Sequence, residues 1–377
     1  MVKKPIEPIY MSGPNISEKD IELVTSVLRD GWYGDRAYYY CELFQDKFAD
    51  FHNRKFGIMT PNCTTALHLL LSGLGVGKGD EVIVPECTWV GSTAAIKWLG
   101  AETVFADIEE DSWCLSPDSV LERITPNTKA IITVNLYGNM SDMTRLQQIA
   151  DDNGIHLIED AAESLGSKYK GTRSGKFGKG SVFSFHRTKT ITTGEGGMLL
   201  LDDEKLYERC MFLRDHGRSS TVPYYIEEVA YKYMPFNVQA ALGYAQFLRL
   251  EELVDIQRNQ FSLYSKLLEG VPNIKLNIKT DEVYNSYWIT ALVLGEEYGM
   301  DKFELMKRLE AQEVPSRPFF YPLSKLPAYN QEKKYKEINP NAYNISQRGI
   351  NLPGAANLSE EQISFICDGI KKVLYNV

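Results

Sequence analysis

The stretch Ser181-Val-Phe-Ser-Phe-His-Arg-Thr-Lys189-Thr-Ile-Thr-Thr-Gly-Glu-Gly-Gly197 decides how the chain is read. Ser181 to Phe185 is strand-like, a loop of hydroxyl and glycine residues follows, and Met198 to Leu201 makes a second apolar strand. Lys189 is therefore held between two buried elements. Two readings of it stand side by side. One is a solvated loop charge, because Lys is almost never fully buried without a partner. The other is an amine kept neutral by desolvation, so that it can form a Schiff base. The apolar strands on either side favour the second. So do Gly194, Gly196 and Gly197, which allow a backbone to approach a bound group closely, and the Ser184 hydroxyl, which can serve a phosphate oxygen.

A Schiff-base lysine beside a phosphate site suggests pyridoxal 5′-phosphate (PLP), and that cofactor makes a further demand. Its ring nitrogen stays protonated only against a buried carboxylate. Ile155-His-Leu-Ile-Glu-Asp160 reads as a buried parallel strand ending in acid. Asp160 sits at the carboxyl end of that strand, where open α/β sheets place their ligands. The 29 residues from Asp160 to Lys189 suffice for a crossover and a return onto a neighbouring strand.

Composition narrows the classes further. A length of 377 residues predicts more than one domain and ample core. With 44% apolar and 24% charged residues, no run approaches the ~20 apolar residues of a membrane span. The start, Met1-Val-Lys-Lys-Pro-Ile-Glu-Pro8, has no apolar leader core, so a cytoplasmic location and no membrane partner are expected. The net charge of −9, with acids and bases interspersed, argues against a nucleic-acid partner. Cys41, Cys63, Cys87, Cys114, Cys210 and Cys367 lie far apart, without C-x-x-C or zinc-type His spacing, which predicts reduced packed thiols and no metal.

Along the chain, Ser17-Glu-Lys-Asp20 reads as a capping box opening a helix that ends at Asp30-Gly31, and Phe44, Phe48 and Phe51 line one face of a second helix. Phe56 to Met59 is a short strand. Thr60-Pro-Asn-Cys-Thr-Thr65 then leads into a helix with Ala66, Leu67, Leu70, Leu71 and Leu74 on one side. Strand, polar turn and helix N-terminus make a phosphate cradle to which Thr64 and Thr65 add hydroxyls; a plain Thr N-cap is the alternative. Trp89 follows the strand Glu81–Val84, so its ring can lie on a planar cofactor or pack in the core. Strands at 103–107, 130–135 and 155–160 alternate with helices near 91–99, 117–124 and 142–153, which predicts a parallel sheet covered on both faces. Tyr137, after one strand, and Glu163, after Asp160, can face the site or pack and solvate in the ordinary way. His216 lies on a Gly-flanked loop, and the aromatic-rich stretch 222–237 suits a subunit interface.

The texture changes near residue 250. Residues 1–250 read as a large domain and residues 251–377 as a smaller α+β domain, with strand-like runs at Ile274–Leu276 and Tyr287–Leu294 and a closing helix from Ser359 to about Leu374. Within it, Pro315-Ser-Arg-Pro-Phe-Phe-Tyr-Pro322 offers Arg317 as a fork for a carboxylate or phosphate, or as a cap on a neighbouring element.

Taken together, Asn62-Cys-Thr-Thr65, Thr88-Trp89, Ile158-Glu-Asp-Ala-Ala-Glu163, Ser184-Phe-His-x-x-Lys189, Thr192-Thr-Gly-Glu-Gly-Gly197 and Arg317-Pro-Phe-Phe-Tyr-Pro322 resemble the DegT/StrS-type sugar-nucleotide aminotransferases over nearly the whole chain. The resemblance implies an α/β, aspartate-aminotransferase (type I) fold with a mostly parallel mixed sheet, and PLP as cofactor. It implies that Lys189 bonds the cofactor, Asp160 pairs with its ring nitrogen, Trp89 stacks on the ring, Thr64, Thr65 and Ser184 hold the phosphate, and Glu163 approaches the ring or the substrate. Tyr321, Arg317, His186 and Tyr137 are the implied substrate contacts. The Ser-Arg-Pro-Phe-Phe-Tyr-Pro and Arg348-Gly-Ile-Asn-Leu-Pro353 segments are most similar to the branch that aminates C4 of a GDP-linked 4-keto-6-deoxy sugar, with glutamate as donor and a homodimer sharing its active sites. In that branch an Asn reaches the partner's cofactor from a Tyr-Asn-Tyr-Arg-Met-like segment. Here Tyr231-Lys-Tyr-Met-Pro-Phe-Asn237 stands in its place, leaving Lys232 or Asn237 for the role, and Ser324 replaces a His usual after Tyr-Pro.

The alternatives are amination at C3, another nucleotide, a PLP-dependent sugar 3-dehydratase, and a regulatory protein that keeps the fold without turnover. The related dehydratases carry His at the position of Lys189, and a non-catalytic binder has no use for both Lys189 and Asp160. A dinucleotide dehydrogenase is disfavoured because Gly175-Lys-Phe-Gly-Lys-Gly180 has neither the spacing nor the context of a dinucleotide loop.

Overall fold

The structure, a computed structural model, describes residues 7–375. The first six residues of the N-terminal stretch read above lie outside them, as do residues 376 and 377. The large domain carries β1 (Phe56–Thr60), β2 (Glu81–Pro85), β3 (Glu102–Ala106), β4 (Thr128–Val134), β5 (His156–Asp160), β6 (Lys168–Tyr169), β7 (Thr172–Arg173), β8 (Gly180–Ser184) and β9 (Gly197–Leu201). Seven of these form one sheet in the order β1-β9-β8-β5-β4-β2-β3. β3, β2, β4, β5 and β8 are parallel, whereas β9 runs antiparallel to both β8 and β1. β1 therefore points the same way as the parallel set, and the carboxyl ends of six strands meet on one edge.

Alternation along these strands assigns each side chain to a layer. In β2, Val82 and Val84 join a core with Leu67, Leu70 and Leu71 of the helix Cys63–Gly73, while Ile83 joins Leu146, Ile149 and Ala150 of Met143–Asn153 on the opposite face. Burial on both faces is why the strands read as continuous apolar runs. A third cluster fixes the strand that delivers Lys189: Phe44 packs on Phe185 with centroids 5.2 Å apart, and Phe48 meets Phe183 edge-on at 4.9 Å.

Local capping follows the sequence signals. Ser17 and Asp20 form the expected capping box, and Asp20, which is buried, also accepts from Gln246 Nε2 at 2.7 Å and pairs with Arg249. The helix Cys63–Gly73 is capped by Asn62 rather than by a threonine. Thr65 N donates to Asn62 Oδ1 at 2.9 Å, and the Thr65 hydroxyl turns back onto Asn62 O at 2.8 Å.

The smaller sheet has β10 (Ile274–Leu276), β12 (Ala291–Leu294), β13 (Arg317–Pro318) and β14 (Gly349–Asn351) in the order β10-β12-β14-β13, all antiparallel, covered by the closing helix Glu360–Tyr375. The expected strand Tyr287–Leu294 is shortened to β12, because Tyr287 takes a left-handed φ of 52° and turns the chain before Ala291. β11 (Val283–Tyr284) pairs instead with β6 of the large domain. The helix Leu250–Leu267 spans the expected boundary at 250/251: Leu253 and Val254 pack with the large-domain core, and Tyr264 with the small one.

Candidate active site

Asp160 ends β5 and Lys189 follows β8, two adjacent parallel strands in which Asp160 lies opposite Val182. Asp160 is 4% exposed. Its Oδ2 accepts from Ser92 Oγ at 2.8 Å, its Oδ1 accepts from Ala162 N at 3.1 Å, and Cys63 Sγ lies 4.0 Å from Oδ1. Burial pushes this carboxyl above the usual carboxylate range, while the Ser92 and Ala162 donors and the Lys189 charge pull it back. The Cys63 thiol is raised well above its usual range, mainly by burial and by the Asp160 charge, with the Lys189 charge opposing.

The surroundings of Lys189 differ from the bare apolar pocket expected of a neutral amine. Its Nζ lies 3.1 Å from Glu163 Oε1 in a largely buried ion pair and 3.7 Å from the centroid of the Trp288 ring. Glu163 Oε2 accepts from Tyr137 N at 3.0 Å. The loop that presents the lysine is tied to itself, with Phe185 N donating to Gly196 O at 2.9 Å and Arg187 N to Gly194 O at 2.8 Å. A lysine closing on a carboxylate is what a long cationic side chain does when apolar strands leave it little water.

The remaining expected site residues divide. Thr64 and Trp89 flank Gly91: a Cβ there would stand 3.0 Å from Thr64 Oγ1 and 3.1 Å from Trp89 Cδ1, so glycine keeps that space open. The Trp89 ring is 64% exposed and not a core residue. Ser184, at the end of β8, accepts from His186 N at 3.3 Å, and His186 Nδ1 contacts Thr188 Oγ1 at 2.8 Å with Nε2 3.7 Å from Glu195. Arg317 Nη1 donates to Ser12 Oγ at 3.5 Å, and burial, with the Arg187 charge adding to it, lowers its pKa.

Five residues singled out in the sequence take other surroundings within this chain. Asn237 is 5% exposed, its Oδ1 accepts from Tyr40 N at 2.8 Å, and its Nδ2 donates to Gly31 O and Arg36 O at 3.2 and 2.8 Å. It fastens the segment between two N-terminal helices. Lys232 pairs with Asp215 at 2.8 Å. Tyr137 is fully buried, stacked on Phe320 at 5.7 Å, and serves the site through its backbone N–H rather than its ring. Tyr321 turns away into a cavity of about 1220 Å³ lined also by Lys302, Lys307, Lys325 and Arg348, which contains none of Asp160, Glu163 and Lys189. Its neighbour Phe320 is the residue that faces Trp89, at 6.4 Å. His216 is exposed.

The residues present fit PLP. A buried acid with its own donors awaits a protonated ring nitrogen. At the N-terminus of Cys63–Gly73 the half-buried Thr64 hydroxyl makes no hydrogen bond within the described chain. Gly197 lets β9 pass directly beneath that turn, since a Cβ there would lie 2.4 Å from the Asn62 carbonyl carbon. Among the described residues no cluster of three or more His, Cys, Asp or Glu could hold a metal ion, and no helix is long and apolar enough to cross a membrane.

Comparison with known proteins decides the family. The model of the DegT/DnrJ/EryC1/StrS aminotransferase family matches residues 14–371. The chain belongs to this family. Relatives of the DegT/DnrJ/EryC1/StrS chain include proteins named GDP-perosamine synthase, from Vibrio cholerae (36% identical over 364 residues) and from Escherichia coli O157:H7 (35% over 365), each alignment covering 97% of this chain and 98% of the relative. The PLP form of Spr1654 from Streptococcus pneumoniae has TM-score 0.90 at 29% identity, covering 98% of this chain and 99% of that one. As a member of the family the chain is a PLP-dependent sugar aminotransferase of the type I fold.

Sequence reasoning missed Trp288, Ser92 and Arg187. Trp288 sits in Asn285-Ser-Tyr-Trp-Ile289, where the only local signal of a turn is a serine and an asparagine. Ser92 is an ordinary small residue on a helix, and nothing local says that its hydroxyl meets an acid from another strand.

Proposed function

We propose that the chain moves an amino group from glutamate to the C4 keto group of a nucleotide-linked 4-keto-6-deoxy sugar, in the manner of the perosamine synthases it is similar to, and that it works as a homodimer. The observation that carries the reading is the pairing of Lys189 with Glu163 next to a donor-supported, buried Asp160. A lysine at this position supports amino transfer over dehydration.

When bound, PLP supplies an electrophilic aldehyde and an electron sink. Asp160 would hold the ring nitrogen, Trp89 the ring face, and Thr64, Ser184 and the N-terminus of Cys63–Gly73 the phosphate. Lys189 would supply the amine that bonds the cofactor, and its freed amine would carry a proton to and from the substrate carbon. Glu163 keeps its amine within reach and Tyr137 N–H fixes the carboxylate. Arg317, whose positive field Arg187 reinforces, suits the carboxylates of glutamate or the phosphates of the nucleotide. Glutamate leaves as its 2-oxo acid, and the keto carbon gains the amine.

The dimer reading is supported by the exposed apolar stretch Val222–Phe236, in which Tyr224 is 100% and Val229 97% exposed. The deciding experiment incubates the enzyme with glutamate and a panel of GDP-, dTDP- and UDP-linked 4-keto sugars, with mass spectrometry and NMR of the products. Amine at C4 of a GDP sugar is the expected result. Amine at C3, preference for another nucleotide, or release of ammonia with loss of the C3 hydroxyl would each replace the reading.

A further inference from the structure

Trp288 belongs to no segment whose sequence points to chemistry, yet its indole lies against the amine of Lys189. The distance from Nζ to the ring centroid, 3.7 Å, is well inside the ~6 Å over which a cation is drawn to an aromatic face. The indole is held in place. Its Nε1 donates to the carbonyl of Thr188, the residue before the lysine, at 2.8 Å, and its ring lies nearly parallel to Tyr137 with centroids 6.3 Å apart. The chain on its N-terminal side is equally fixed. Ser286 N donates to Ser167 Oγ at 3.0 Å, and the Tyr287 ring stacks on Phe261 at 3.7 Å. Trp288 therefore cannot swing off the lysine without undoing several buried contacts.

A single carboxylate fixes how far the amine of a four-carbon side chain extends, but not its direction. Glu163 at 3.1 Å supplies the distance, and a second contact from a different element is needed to supply the direction. We propose that Trp288 is a positioning residue for Lys189: its indole face is the berth to which the ammonium returns whenever the lysine is not bonded to another molecule. The inference rests on reading Lys189 as the amine that does the chemistry. It adds that a residue beyond the large-domain boundary read from sequence holds that amine, so the second domain takes part in presenting the lysine.

The test measures the amine directly. Full-length chain free of PLP is treated briefly with acetic anhydride, and acetylation of Lys189 is mapped by peptide mass spectrometry against exposed Lys307 as internal reference. Replacing Trp288 alone with increasingly fluorinated tryptophans keeps the shape of the ring while draining its negative face. The Lys189 to Lys307 ratio should rise stepwise with fluorination, by about tenfold across the series. Trp288→Leu should give a rise at least as large, with Trp288→Phe between it and the parent. A flat ratio across the fluorinated series overturns the proposal and leaves Trp288 as packing only. Because the measurement uses neither donor nor sugar, its failure is distinct from failure of the substrate panel.

Discussion

Glu163 holds Lys189 with one carboxylate oxygen, 3.1 Å from Nζ, while its other oxygen takes the N–H of Tyr137 at 3.0 Å. Glu163→Gln keeps the shape and removes the charge. The variant should fold normally and turn over on the order of 10²-fold more slowly, the scale of a displaced proton carrier, with KM for glutamate changed far less. A KM effect with kcat intact would assign Glu163 to substrate binding instead.

Ser92 donates to Asp160 Oδ2 at 2.8 Å, and burial already pushes that carboxyl upward. Removing the donor in Ser92→Ala disfavours the ionised acid further. PLP affinity, followed by absorbance titration, should weaken by about tenfold, the size of a hydrogen bond to a charged group. Asp160→Ala should weaken it more. Equal affinities in parent and Ser92→Ala would detach Ser92 from the site.

Asn237 makes three hydrogen bonds to residues 31, 36 and 40 and is 5% exposed. Asn237→Ala leaves those backbone groups unsatisfied, so a stability loss of about 1–3 kcal/mol in urea unfolding is expected, with PLP affinity unaltered. Weakened PLP binding at parental stability would return Asn237 to the list of cofactor contacts.

Glu86 is fully buried where β2 leaves the sheet, accepting from Ser324 N and Asn339 Nδ2, both at 2.8 Å. Burial outweighs those donors and raises its carboxyl from 4.5 to about 7. The folded chain therefore binds a proton that the unfolded chain releases between these values. Its contribution is present below pH 4.5 and disappears as pH rises through about 7, by up to roughly 3 kcal/mol. Unfolding free energies across this range should fall more steeply in the parent than in Glu86→Gln. Parallel curves would show that Glu86 stays ionised throughout.

The sequence by itself determined the layers and the two residues on which the chemistry turns. The alternation of apolar strands with helices set a parallel sheet covered on both faces, and the strand-loop-strand pattern around Lys189, with Asp160 at the end of a neighbouring strand, set both at one edge. Capping by Ser17 and Asp20 was equally local. Tertiary structure alone decided which groups meet there. Thr188 and Trp288 are 100 residues apart, Asp160 and Ser92 are 68, and Asn237 and Tyr40 are 197. Periodicity reports whether an element is buried, and a few adjacent residues fix a turn or a cap. Neither encodes where a side chain points across a gap between two elements, and for that reason the contacts of Trp288 with Lys189 and of Ser92 with Asp160 were not legible in the sequence.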